Sequence, residues 1–204
     1  WADFLHGSGS LDPLVRMAIA HYQFEAIHPF ADGNGRTGRI LNILLMVDAG
    51  LLQSPILYLS RYIIAHKDDY YRLLLDVTSS DAWEAWVQFM LTAVGETAKT
   101  TLRKIDAIQL LQSRVRDRVR ATSAVSNSDL LDVLFEQPYS RISNVVTQCR
   151  VSRPTATKWL NELVAAGVLR DVRVGRERLF INHEFLSILL RDEPADDRAD
   201  DTLF

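Results

Sequence analysis

Apolar residues recur at Val15, Ala18, Ile19, Tyr22 and Ile27, close to the 3.6-residue helical period. Asp12 and Pro13 stand before this run as an N-cap and a first helical residue. Pro29 ends it, because a proline pushes the preceding residue, His28, out of the α region. The pattern predicts a helix from Pro13 to Ile27, with His28 at its exit. A second helix is predicted from about Arg36 to Ala49, stopped by Gly50. It is apolar nearly all round, so it is expected to be central and buried. Helices follow over Ser60 to Val77 and Ala82 to Gly95, where Trp83, Trp86 and Phe89 make one core-facing stripe. Residues 96 to 121 read as a longer, more polar helix, a spacer or a dimer seam. Residues 1 to 11, containing HGSGS, read as a flexible turn.

The texture changes after about residue 125. Short helices are predicted over Asp129 to Phe135, Ile142 to Cys149 and Pro154 to Ala166, the last closed by Gly167. VLRDVRV and ERLFINH then alternate about Gly175 as a two-stranded hairpin. Helix, turn, helix, hairpin is a winged helix-turn-helix pattern. The tail after residue 191 is acidic and poor in apolar residues, and disorder is expected there. The expected division is a first domain over 1–95, a connecting helix over 96–124, the winged helix over 125–191 and the tail over 192–204.

Bulk composition narrows the class. Hydrophobic residues make up 48% and charged residues 24% of the 204, the balance of a globular chain. The net charge of −3 argues against a general polyanion binder. Cys149 stands alone, so no internal disulfide forms, and a reducing, cytoplasmic location is expected. The longest apolar run, Ile40 to Val47, is too short to span a bilayer, and no membrane partner is expected. No signal peptide is visible, although the chain opens on Trp1 and not on Met.

Chemistry concentrates in HPFADGNGRTGR, residues 28 to 39. Gly33 and Gly35 permit backbone conformations that gather amide N–H groups into an anion-binding nest. The loop feeds a helix N-terminus, whose unpaired N–H groups favour phosphate. Arg36 and Arg39, three apart, are expected on about the same face of the first turn. Arginine there is disfavoured by the helix dipole, which argues for an anionic partner. Asp32 offers a hard oxygen suited to Mg²⁺, which takes one or two carboxylates plus substrate phosphates. His28 beside such a loop suits a general base, the side chain that exchanges a proton near neutral pH. Gly33, Gly35 and Gly38 also satisfy G-x-G-x-x-G, but a helix and not a strand precedes them, so a dinucleotide fold is rejected. No Gly-Lys-Ser/Thr occurs, which removes the P-loop.

This stretch resembles the Fic signature, H-P-F-x-[DE]-G-N-G-R-x-x-R, at every specified position. The flanks AHYQFEAI, ILNILLMVDAGLL and PILYLSRYI agree, and the resemblance covers roughly residues 1 to 120. It implies a mainly α fold, a Fic-type helical bundle followed here by the small α+β winged helix-turn-helix domain. It implies transfer of AMP from ATP, with Mg²⁺, to a Ser, Thr or Tyr hydroxyl of a target protein or of the chain itself. His28 would be the base and Asp32 the Mg²⁺ ligand. The backbone of Gly33, Asn34 and Gly35 would form the anion hole, with the Asn34 side chain at the α-phosphate. Arg36 and Arg39 would hold the β- and γ-phosphates, and Phe30 would anchor the loop in the core. Tyr58 and Leu59 would lie near adenine. Relatives that transfer phosphate resemble G-N-K, so Gly35 points to AMP transfer.

The family's inhibitory helix, [ST]-x-x-x-E-[GN], is only approximated by Thr92-Ala-Val-Gly-Glu96, which Thr97 follows, and the match is read as accidental. HGSGS does not resemble the family's substrate-docking flap. Residues 114 to 180 hold twelve Lys and Arg against seven acids. Arg153, Lys158, Arg173 and Arg176 are therefore candidate DNA contacts. The competing reading is a DNA-binding regulator whose Fic-like domain senses a nucleotide. A homodimer through residues 96 to 121 is the remaining partner expectation.

Overall fold

A computed structural model describes residues 1–7, 9–121, 129–175 and 177–191. The chain is mainly helical with one small sheet, and divides into two compact units, Trp1–Thr101 and Leu102–Phe204. The helix α6 (Trp83–Ala121) is continuous through that division. Two helices were expected there, parted at Gly95. One glycine in a helix interior costs about 1 kcal/mol relative to alanine, too little to stop a 39-residue helix with packed residues on both sides. The expected disorder of residues 192–204 lies outside the described residues.

Unit 1 begins with α1 (Ala2–Gly7), where a flexible turn was expected. In α2 (Pro13–Ile27) the Asp12 carboxylate accepts from the Leu14 and Val15 N–H groups at 2.8 and 3.3 Å. That satisfies two of the donors a helix start leaves unpaired. α3 (Asn34–Asp48) starts two residues earlier than the apolar pattern suggested. The stretch read as one helix over 60–77 is two, α4 (Ser60–Ala65) and α5 (Lys67–Ser80). They part at His66 (φ −114°, ψ 39°), whose ring stacks on Tyr62 at 4.0 Å. Met17, Met46, Ile63, Tyr70, Trp86 and Met90 lie in the core of this unit.

The expectation of a buried α3 is overturned. Asn34, Gly38, Asn42 and Met46 are buried, while Ile40 and Leu44 are 57% and 53% exposed. The inward stripe repeats every four residues and consists mainly of small or polar side chains packed beside α2. Abundant apolar residues told nothing about which side faces in.

Unit 2 contains α7 (Asp129–Glu136), β1 (Tyr139–Ser140), α8 (Ile142–Cys149), α9 (Arg153–Ala165), β2 (Arg170–Val174), β3 (Glu177–Ile181) and α10 (His183–Leu190). The expected hairpin β2–β3 is antiparallel, with Arg173 opposite Arg178. Strand β1 adds to its far side, pairing Tyr139 with Ile181, in the order β1-β3-β2. Ser152 caps α9, its hydroxyl accepting from the Thr155 N–H at 3.3 Å. Leu111, Val115 and Val119 of α6, Leu160 of α9 and Phe180 of β3 are among the residues of its core.

Candidate active site

The site is the bend between α2 and α3. His28 closes α2 in the left-handed region (φ 50°, ψ 55°), donating its backbone N–H to Phe24 O at 3.0 Å. Its side chain is exposed. A histidine at positive φ is uncommon and costs about 1 kcal/mol, so the fold holds it against local preference. Gly33 (φ 83°, ψ 9°) turns the chain into α3 and offers no side-chain cap. The Thr37 N–H donates to Gly33 O at 2.9 Å as the first helical bond. The N–H groups of Asn34, Gly35 and Arg36 precede it and have no intrahelical acceptor, the arrangement that attracts an anion.

Asn34 is committed elsewhere. It is 2% exposed; its Oδ1 accepts from the Phe30 N–H at 2.9 Å and its Nδ2 donates to Phe30 O. The amide staples the bend, so the phosphate role expected for this side chain is not what the structure shows; its backbone N–H is the group left to the cradle. Phe30 does not anchor the loop in the core either. It is 50% exposed and leans on Phe24, centroids 6.3 Å apart. Leu59 is a core residue at 1% exposure and so cannot flank a base, whereas Tyr58 is exposed.

The two arginines differ. Arg36 is an exposed cation, its Nη2 3.6 Å from Asp32 Oδ2. Asp32 Oδ1 accepts from the Gly33 N–H at 2.7 Å. Arg39 is half-buried, with Nη1 3.1 Å from where a Cβ on Gly35 would stand. The spacing of three in α3 leaves the two on neighbouring positions of one side of the first turn, and they differ in burial.

Behind the bend lies a polar layer that the sequence reading missed. His21 is buried, hydrogen-bonded through Nε2 to the Tyr70 hydroxyl at 3.0 Å and stacked on Trp86. Glu25 Oε1 lies 2.6 Å, and His21 Cε1 3.1 Å, from the Cβ that Gly38 lacks. Gly38 is therefore the point where α2 side chains meet the α3 backbone. The available signal was the spacing of His21 and Glu25, four apart on α2, with His28 next in the same register at the helix exit.

Burial, helped by the Arg39 charge, lowers the His21 pKa to about 4. The folded state thus holds the ring neutral where the unfolded chain would protonate it. Stability from this neutral ring is fully present above pH 6.5 and is lost as pH falls toward 4, about 3 kcal/mol in all. Glu25 acts in the opposite sense. Burial raises its pKa, so its contribution is present at low pH and declines as pH rises through the folded value. Urea midpoints measured from pH 7 to 5 are expected to fall in the wild type and, with the Glu25 contribution left, to hold or rise in His21→Gln.

Residues 1–46, which include this bend, match the Fic/DOC family model. Residues 111–185 match the model of the C-terminal domain of SoFic-like protein adenylyltransferase. Two family models thus match in succession along the chain, Fic/DOC over its first part and the SoFic-like C-terminal domain over its second. It is similar to protein adenylyltransferase fic-1 of Caenorhabditis briggsae, 54% identical over 41 residues, 20% of this chain and 8% of that protein. It is also similar to a probable protein adenylyltransferase of Aquifex aeolicus, 39% identical over 66 residues, 32% of this chain and 21% of the relative. A crystal structure of a Fic family protein from Desulfovibrio desulfuricans G20 aligns with 88% of this chain and 52% of its own, at 26% identity and TM-score 0.44. The chain spans about a tenth to a fifth of the length of these two curated relatives. Among the described residues no helix is long and apolar enough to cross a membrane.

Proposed function

We propose that this chain is a protein adenylyltransferase that transfers AMP from ATP to a hydroxyl side chain of a protein. The observation that carries the reading is the bend itself. Uncapped α3 N–H groups, the Arg36 and Arg39 guanidiniums and an exposed His28 imidazole held at positive φ lie within twelve residues. In this reading His28 takes the proton of the target hydroxyl as that oxygen bonds to the α-phosphorus. The bond from the α-phosphorus to the bridging oxygen breaks, and pyrophosphate leaves with its charge answered by Arg36 and Arg39. Such a transfer needs positioning and charge neutralisation above all.

Mg²⁺ fits one way. Among the described residues no three His, Cys, Asp or Glu side chains gather into a metal site. Asp32 supplies one exposed carboxylate, enough for an ion whose remaining ligands are phosphate oxygens and water. Mg²⁺ held there would neutralise phosphate charge.

For unit 2 the order α8, turn, α9, hairpin supports a winged helix-turn-helix. Arg153, Lys158 and Arg173 are exposed, the first two on α9 and the third on β2, and Arg176 lies outside the described residues. Hydrogen bonds join Arg178 to Asp171 and Asn161, and Arg141 to Glu177. Asp171 and Glu177 are already counted among the seven acids, so the positive excess stands, and the preference for the enzyme over the DNA-binding regulator comes from the bend. Leu102 and Leu110, exposed on α6, support the dimer seam.

The deciding experiment supplies ATP labelled at the α- or the γ-phosphate. Label from the α position alone is expected on a protein, the chain itself included. Label from the γ position, or none, overturns the reading.

A further inference from the structure

We propose that Glu25 is the positioning residue for Arg39: its carboxylate, projected from the last turn of α2, holds the guanidinium over the Gly35–Gly38 face of α3 for the distal phosphates. This rests on the adenylyltransferase reading.

Three observations lead there. The first is placement. Glu25 Oε1 stands 2.6 Å from the Cβ position of Gly38 and 3.9 Å from that of Gly35. Arg39 Nη1 and Cζ stand 3.1 and 3.9 Å from the same point on Gly35. Opposite charges from two helices thus lie over one stretch of α3 bared by two glycines. The second is complementary need. Glu25 Oε1 and Arg39 Nε are both buried without a hydrogen-bond partner, so the two act on one another as charges across the glycine face and not as a closed ion pair. A buried charged atom without compensation is costly, and a neighbour of opposite sign is what lowers that cost. The third is the contrast with Arg36, a solvated side chain beside the still more exposed Asp32. Arg36 has water to stabilise it wherever it points, whereas Arg39 depends on its surroundings.

The electrostatics agree. Burial raises the Glu25 pKa, while Arg39, and after it His28, pull it back down. A guanidinium already held in place loses less side-chain entropy when a phosphate arrives, which is how a charge several residues from the chemistry improves binding.

The test compares ATP and AMP binding to the purified chain by calorimetry, because a distal-phosphate clamp affects only the first. Glu25→Gln, of the same size without the charge, is expected to weaken ATP about tenfold and AMP less than about twofold, a loss within the range of one charge-assisted contact. Added to Arg39→Ala, the same change is expected to have no further effect on ATP. Glu25→Asp, which keeps the charge, is expected to retain the preference for ATP, and decides the question should the glutamine variant not fold. Equal losses for ATP and AMP, unchanged ATP binding by Glu25→Gln, loss of the preference in Glu25→Asp, or a further loss in the Arg39→Ala background each overturn the positioning role. A wild type that binds ATP no better than AMP and transfers no α-label overturns the adenylyltransferase reading itself. A wild type that prefers ATP to AMP and transfers the α-label, with Glu25 variants indifferent, overturns only the inference.

Discussion

Replacing His28 by alanine is expected to slow AMP transfer by about 10²–10⁴-fold, the usual contribution of a positioned general base. The same substitution is expected to leave stability within about 0.5 kcal/mol, because the imidazole is exposed and the backbone bond to Phe24 O survives. The two effects separate because the residue sits where the fold has no use for its side chain. It caps α2 at φ 50°, a conformation glycine adopts without strain. His28→Gly is therefore expected to be as inactive as His28→Ala, yet more stable than wild type by up to about 1 kcal/mol. Initial rates of α-label transfer and urea midpoints on the three proteins check both halves. A His28→Ala rate within threefold of wild type would remove the base from the mechanism. A destabilised His28→Gly would show that the positive φ is no burden.

Local punctuation was legible in the sequence, and contacts between elements were not. Asp12-Pro13 and Pro29 bracket α2 because capping and proline geometry depend only on near neighbours. The twelve-residue stretch from His28 to Arg39 likewise shows its chemistry in one reading frame. By contrast, nothing in ILNILLMV reveals that Ile40 and Leu44 face outward while Asn42 faces in. That choice belongs to α2, which meets α3 at Gly38. Asn34 looked like a phosphate ligand because residue type alone cannot show that its amide is spent on Phe30. Tyr139–Ser140 is too short to display alternation and pairs with β3 some forty residues later. The polar layer of His21, Glu25 and Tyr70 was hidden for the same reason. Its members join residues almost fifty positions apart.

That layer makes Trp86→Ala the substitution of largest expected effect on stability, a loss of about 3–5 kcal/mol. Trp86 is fully buried and donates its indole N–H to Ala18 O at 2.8 Å. Its ring lies nearly parallel to that of His21, centroids 6.0 Å apart and planes 8° apart, with Tyr70 at 5.6 Å. Truncation opens a void against the rings of His21, Tyr22, Tyr70 and Phe89 and removes the surface on which His21 rests. Trp86→Phe keeps most of the ring contact and loses chiefly the indole bond, so about 1 kcal/mol attaches to that change. The consequence reaches the bend, since His21 is what backs Gly38 at the Cβ position. A ligand that binds only the folded bend should recover part of the loss. At one hundred times its dissociation constant the recovery is about 2.7 kcal/mol. Urea midpoints of Trp86→Ala with and without ATP are therefore expected to differ, while His28→Ala, which leaves the cradle intact, should gain as much from ATP as wild type does. A Trp86→Ala loss below 1 kcal/mol would show that α2 does not rely on this stack to present His21 behind the bend.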